Sequence, residues 1–339
     1  MQMRDAIGAL MRREDLSFDD TYAVMQVIMT GEATDAQVAG FLIALAMKGE
    51  TADEITAAAQ VMRELMQPVA IDCDNVVDIV GTGGDGANLF NISTASSFVV
   101  AAAGGHVAKH GNRGVSSSSG SADLFDVAGI YLDLDAATIA RCIEQVGVGF
   151  MFAPRHHQAM RHAIGPRREM GVRTVFNILG PLTNPAGAPN QLLGVYAPHL
   201  VPLVAESLRK LGSRHVLVVH AEDGLDEISL AAPTRVAELR DGEIHEYTIT
   251  PESLGLERQS LAPLKVVTAE DSLKLVKEAL MGKSAAGDIV ALNAGAALFA
   301  ADIADSLKEG VLMAQDAQAS KLPLEKLKEL ADFTRVFKE

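Results

Sequence analysis

Apolar residues recur at helical spacing near the start of the chain, in residues 23–29 and 38–47, and no convincing strand appears before about position 70. Thr34-Asp35 precedes the second run, and Thr51-Ala52-Asp53-Glu54 opens a third. A hydroxyl or carboxylate at such positions can accept from the free N–H groups of a first helical turn. At Gln67-Pro68 the pattern changes. Short β-branched runs at 76–80, 106–109, 146–150, 192–196, 216–219 and 288–292 predict strands, and helical stretches such as 201–211 and 272–281 lie between them. Strand and helix in alternation predict an α/β fold: a small N-terminal helical domain, residues 1–70, and a larger domain, 71–339, with a mostly parallel central sheet flanked by helices. The polar interval 235–250, with Asp241-Gly242 at its middle, predicts a hairpin.

The first strand runs directly into Gly81-Thr82-Gly83-Gly84-Asp85-Gly86. Glycines at this density let the backbone approach a ligand and turn successive N–H groups toward one anion. Asn91-Ile92-Ser93-Thr94 then opens an apolar helix whose N-terminus adds partial positive charge. Lys109 and Arg113, separated by Gly111, supply a second, basic wall, and a serine-rich turn ending in Gly120-Ser121 leads past Asp123 into another helix. Together they predict a site for a multiply phosphorylated ligand. Each piece also has a plainer reading: a geometric glycine turn, helix caps at Asn91 and Ser93, a solvated cation pair, a serine linker.

Arg167, Arg168 and Arg173 cluster before Pro181 and Pro185. One of them facing the cradle could grip a carboxylate with two hydrogen bonds, whereas a surface face or internal salt bridges would explain Arg168 and Arg173 equally well. Asp226-Glu227, after Gly224, could hold magnesium at a strand end or form a solvated acidic turn. His156-His157 is poorly spaced for joint metal ligation from one helix face and reads as pocket lining or caps, and His110 shares that ambiguity.

The net charge of −15 argues against a nucleic-acid or anionic-membrane partner, and aromatic residues at 4% leave little for base stacking. No apolar run has the length of a membrane span. The start Met1-Gln2-Met3-Arg4-Asp5 lacks a secretory pattern, and Cys73 and Cys142 read as reduced thiols, so the expected location is cytoplasmic.

Taken in order, these motifs resemble the anthranilate phosphoribosyltransferase family of tryptophan biosynthesis. The resemblance runs through Gly81-Thr-Gly-Gly-Asp85, Asn91-Ile-Ser-Thr94, Lys109-His-Gly-Asn-Arg113, Ser119-Gly-Ser-Ala-Asp123, Arg173-Thr-Val-Phe-Asn177, Leu179-Gly-Pro-Leu182 and Asp226-Glu227. It implies a magnesium-dependent glycosyltransferase that moves the phosphoribosyl group of 5-phosphoribosyl 1-pyrophosphate to the amine of anthranilate. It also implies a homodimer, each small domain being joined by helices near 160–190. By that resemblance the donor would be surrounded by Gly81, Gly84, Asp85, Asn91, Ile92, Ser93, Thr94, Lys109, His110, Gly111, Asn112, Arg113, Gly114, Val115, Ser116, Ser117 and Ser121. Gly81, Asn112 and Arg167 would contact anthranilate, and Ser93, Asp226 and Glu227 would hold Mg2+.

Two departures stand out: Leu89 replaces a common hydroxyl residue, and Ser118 a common lysine. An aromatic amine is neutral at pH 7, so the implied reaction demands positioning and charge stabilisation rather than a strong general base. A pyrimidine nucleoside phosphorylase of the same fold and a non-catalytic nucleic-acid-binding relative are the alternatives. The first has no need of a carboxylate-binding Arg167, and the second should carry a basic face.

Overall fold

A computed structural model describes residues 1–114, 119–282 and 284–338. Four helices come first: Met3–Met11, Phe18–Met29, Asp35–Lys48 and Ala52–Leu65. Thr34 and Thr51 cap the third and fourth in reciprocal capping boxes with Gln37 and Glu54, which satisfies the first-turn N–H groups as their sequence spacing predicts.

Seven strands form one sheet: β1 (Val76–Gly81), β2 (His106–Gly111), β3 (Val148–Phe152), β4 (Asn190–Gly194), β5 (His215–Ala221), β6 (Thr234–Arg240) and β7 (Glu243–Ile249). Their spatial order is β3-β2-β1-β4-β5-β6-β7. The first five pair in parallel, and β5–β6 and β6–β7 pair antiparallel. The order reverses between β1 and β4, which opens a crevice at their carboxyl ends. Asp241 and Gly242 take positive φ of 53° and 82°, the conformation a two-residue hairpin turn requires between β6 and β7.

The predicted strand at 288–292 is instead part of the helix Ala285–Ala300. From Ala286 to Ala300 every residue of that helix except Asp288 is buried, so no polar face marks the helical period and the short run Ile289-Val290-Ala291-Leu292 imitates a core strand. The helix packs between Ile92–Ala102 and Leu307–Ser320. At the second contact a Cβ on Gly310 would lie 2.2 Å from the Gly295 carbonyl oxygen, so backbone meets backbone. β3 begins two residues later than predicted because Gly147, at φ 92°, ends the preceding helical segment.

Two cores result. One fills the space between the sheet and the helices Ile92–Ala102, Ala285–Ala300 and Leu307–Ser320. The other joins the N-terminal helices to Ala163, Phe176 and Leu179, to the helix Leu200–Lys210, and to Leu193, Val216 and Val218 on the opposite sheet face. β3 is buried over most of its length and packs against the Cys142–Val146 segment, whereas β7 exposes Glu243, His245, Glu246 and Thr248. Cys73 and Cys142 are both free thiols, and among the described residues no helix is long and apolar enough to cross a membrane.

Candidate active site

β1 and β4 end side by side on glycine, Gly81 opposite Gly194. The turn carrying Asp226 crosses over both ends. A Cβ at Gly81 would lie 2.4 Å from Asp226 Oδ2, and one at Gly194 only 1.6 Å from the Asp226 carbonyl oxygen. The Gly83 N–H donates to Asp226 Oδ2 at 2.6 Å, and the Thr82 N–H to the Gly194 carbonyl at 2.9 Å. Gly83, Gly84 and Gly86 all have positive φ, so the loop turns in a conformation that side chains resist.

Asn91 occupies the N-cap position of Ile92–Ala102, yet its side chain does not cap. Its Oδ1 accepts from Ser272 Oγ at 2.6 Å and Ser119 Oγ at 3.0 Å, and its Nδ2 donates to the Ser119 carbonyl at 3.1 Å. Asn91 therefore ties the serine turn and the helix Ala269–Ala279 to the start of the central helix, leaving that helix's first N–H groups uncapped by it. Thr94 donates to Ser121 Oγ at 3.0 Å, while Ile92 is buried in the core, so only its backbone can meet a ligand.

Lys109 and Arg113 do not form one free basic wall. Lys109 is 1% exposed; its Nζ donates to the Ile79 carbonyl at 2.6 Å and to Ser93 Oγ at 3.3 Å. Burial pulls its pKa down, and the charges of Asp78 and Glu227 oppose that fall. Its ammonium thus lies among Asp78, Glu227 and the Ser93 hydroxyl rather than in solvent. Arg113 is exposed and pairs with Asp123 at 3.0 Å and Asp126 at 2.6 Å. Asp123 Oδ2 also accepts from the N–H groups of Gly114 and Gly120, which holds those two glycines at one carboxylate. Asn112 directly precedes Arg113, and its Oδ1 accepts from the Arg113 N–H. Val115, Ser116, Ser117 and Ser118 lie outside the described residues.

Beneath the loop sit three carboxyls, Asp78 and Asp226 buried and Glu227 half-buried. Burial raises Asp78 to about 6 against the opposing charge of Lys109. Burial, then the Asp85 charge, raises Asp226 to about 6. Burial, then the Asp226 charge, raises Glu227 to about 8, with Lys109 and the Ser93 N–H acting the other way. Asp85, Asp226 and Glu227 thus oppose one another's ionisation, and Lys109, shared with Asp78, supplies too little positive charge for all of them to ionise together. That shortfall, with the Ser93 hydroxyl nearby, fits a divalent cation. Among the described residues no three His, Cys, Asp or Glu side chains are grouped to hold a metal, so a cation here would draw its remaining oxygens from water and ligand, as magnesium does.

Arg167 lies in the helix Arg161–Met170 and stacks over Phe176, 5.0 Å from the ring centre. Burial lowers its pKa, and among the described residues it pairs with no carboxylate. Gly171, in the left-handed region at φ 62°, ends that helix, and Arg173 then reaches the Gly84 carbonyl while stacking over Tyr196. His110 and His157 are buried with ring centres 5.0 Å apart, and burial keeps both neutral: His157 falls to about 4, His110 well below its usual value. His156 Nδ1 meets the Gln67 carbonyl at 2.9 Å and ties down the chain after the fourth helix. Leu89 bridges to Lys265 and packs partly buried against the larger core, a placement in which a hydroxyl would lose apolar contact.

Sequence reasoning missed three contributors. Gly194 shows only as one glycine in an apolar run; its need appears when Asp226 crosses it. Asn184 donates to Asp78 Oδ2 at 2.7 Å and to the Ala108 carbonyl at 2.8 Å, fixing the buried acid between β1 and β2. Ser272 pairs with Asn91 across 181 positions, a separation no local motif reveals.

Residues 4–66 match the glycosyl transferase family's helical bundle domain, and residues 73–321 its a/b domain. A relative from Chromohalobacter salexigens named anthranilate phosphoribosyltransferase is 81% identical, over 99% of this chain and 98% of its own length. The crystal structure of anthranilate phosphoribosyltransferase from Thermus thermophilus superposes with a TM-score of 0.92 at 44% identity, over 98% of this chain and 99% of the other. The Saccharomyces cerevisiae enzyme in complex with PRPP and Mg does so with a TM-score of 0.88 at 27% identity, over 98% of each chain. Sequence, two-domain match and fold agree: this chain belongs to the anthranilate phosphoribosyltransferase family.

Proposed function

We propose that the crevice above β1, β4 and β5 transfers the phosphoribosyl group of 5-phosphoribosyl 1-pyrophosphate to the amine of anthranilate, giving N-(5-phosphoribosyl)anthranilate and pyrophosphate for L-tryptophan biosynthesis. The observation that carries this reading is the glycine cradle lying directly over a crowded, cation-deficient set of carboxyls. An anionic donor would be repelled by such a floor unless it arrived with a cation, as the yeast relative's complex with PRPP and Mg exemplifies.

Ser93, Asp226 and Glu227 would hold Mg2+, which supplies charge neutralisation on the departing pyrophosphate. The N–H groups of the glycine loop and of the Ile92–Ala102 N-terminus then oppose the same negative charge from fixed positions. Asn91 holds Ser119, Asp123 holds Gly120, and Lys109 holds Ser93 from below. Arg167, lacking a carboxylate partner of its own, would orient the carboxylate of anthranilate so that the adjacent amine faces the sugar. Gly81 and Asn112 would line the same acceptor space.

The helical face lined by Ile7, Leu10, Met11, Ile43, Met47 and Met170 holds an apolar groove of about 570 Å³, with Met11 and Met47 each some three-quarters exposed. A second copy of the chain covering this face would form the homodimer of the family resemblance. The phosphorylated donor and two free thiols support a cytoplasmic setting.

The decisive experiment follows anthranilate fluorescence with time, with the donor and Mg2+ present and with each omitted. Decay only in the complete mixture supports the transfer. A flat trace from folded protein overturns it.

A further inference from the structure

Arg173 is the arginine that the reading above leaves without a task. It lies just beyond the helix that carries Arg167, and no carboxylate pairs with it among the described residues. Instead its Nη2 donates to the Gly84 carbonyl, and its guanidinium lies over the Tyr196 ring, 4.5 Å from the centre. Tyr196 is itself fixed to the same loop, because its N–H donates to Thr82 Oγ1 at 3.0 Å. A third link runs from the Thr82 N–H to the Gly194 carbonyl. The glycine loop is therefore held on two sides, by Arg173 at Gly84 and by β4 at Thr82.

The local chain is built to present this side chain. Gly171 breaks the preceding helix in a left-handed conformation, and Asn177 Oδ1 accepts from the Thr174 N–H at 3.0 Å, fixing the residue after Arg173. At Gly84, where φ is +79°, an added Cβ would come 3.1 Å from the guanidinium, so the loop and the cation are already in contact. A planar guanidinium can donate to a carbonyl and stack on a ring at once; a lysine ammonium offers no such plane.

We propose that Arg173 is a positioning residue: it clasps the glycine loop in the curvature that receives the pyrophosphate end of the donor, and couples that loop to the segment bearing Arg167. The inference rests on the transferase reading above. Arg173 acts through Gly84 and its neighbouring N–H groups, whereas Arg167 acts on the acceptor's carboxylate. The two arginines, six residues apart, thereby divide the two substrates between them.

The test is steady-state kinetics of Arg173→Ala, Arg173→Lys and Tyr196→Ala, varying each substrate in turn at saturating Mg2+, with thermal melts alongside. Loss of one hydrogen bond from a charged donor corresponds to about tenfold or more. Arg173→Ala is expected to lower kcat/KM for the donor about tenfold while leaving the KM for anthranilate within about twofold. Tyr196→Ala should move the same parameter in the same direction, and Arg173→Lys should recover only part of it. A rise confined to the anthranilate KM would overturn the proposal by making Arg173 an acceptor ligand. Wild-type kinetics for Arg173→Ala would overturn it too, as would equal losses toward both substrates. An inactive wild-type enzyme would instead strike the transferase reading itself, so the two failures are separable. If Arg173→Ala fails to fold, Tyr196→Ala decides by the same criterion.

Discussion

Replacing Gly194 with alanine adds one methyl group at the point where the Asp226 turn crosses β4. That methyl would stand 1.6 Å from the Asp226 carbonyl oxygen, and real contacts of this kind do not fall below about 3 Å, so one backbone or the other must retreat by more than an ångström. β4 is the less able to yield, since it is paired along its length with β1 and β5 and buried throughout. The Asp226 turn therefore moves, and with it the 2.6 Å bond from the Gly83 N–H and the alignment of Glu227. Overpacking of this kind costs about 1–3 kcal/mol of stability, a fall of a few degrees in Tm. Misplacing a catalytic constellation by about 1 Å costs roughly 100-fold in rate, so activity should suffer far more than stability. The assay is the anthranilate fluorescence decay at saturating donor, with a melt on the same sample. Gly8→Ala is the control: its methyl meets only the end of Arg12 at 3.6 Å, and helix propensity predicts a gain of about 0.5–1 kcal/mol. Wild-type rate and Tm in Gly194→Ala would refute the argument that the crossing pins the carboxylates.

Arg167→Ala should raise the KM for anthranilate by about 10- to 100-fold, the range for a hydrogen-bonded charge, with little change for the donor; equal effects would remove its assignment. Asp226→Asn and Glu227→Gln should each shift the Mg2+ dependence of the rate to higher concentration, and superimposable titrations in both would refute the metal role. His157 is buried and its pKa is depressed to about 4 from 6.5, so the unfolded chain takes up a proton first as pH falls through this window. Stability is therefore lost between about pH 6.5 and 4, by roughly 3 kcal/mol at the limit for this one group, and His157→Gln should flatten that part of the Tm profile. An unchanged profile would mean that His157 does not drive the loss. Met47→Glu should shift the species seen by light scattering from dimer to monomer, and a dimer that persists would place the interface elsewhere.

The sequence is most legible where structure is local. Thr34 and Thr51 announce their capping boxes, Asp241-Gly242 its hairpin, and the run from Val76 to Gly81 a strand that stops at a glycine cradle. Legibility fails where burial is complete or partners are distant. The helix Ala285–Ala300 has no wet face, so its apolar run Ile289-Val290-Ala291-Leu292 reads as a strand. Asn91 has the composition and place of a cap, but Ser272 and Ser119 claim its side chain. Lys109 and Arg113 look like one basic wall, yet Lys109 is buried against Ser93 while Arg113 is exposed and paired with Asp123 and Asp126, because residue type alone does not tell how deeply a charge will sit. The motif residues of the glycine loop and Asp226 do meet at one place, yet the reason they can, the bare ends of β1 and β4, is a property of the assembled sheet.

The uncovered strand β7 has a consequence beyond the fold. An open strand edge offers unpaired N–H and C=O groups to any other extended chain, and this one is long enough to template such growth. Its exposed residues Glu243, His245 and Glu246, with Arg235 and Arg240 on β6 beside it, surround those groups with charge. Any incoming strand would have to strip water from these side chains before gaining a single ladder bond. Concentrated protein is thereby protected from fibrous stacking through this edge of the sheet.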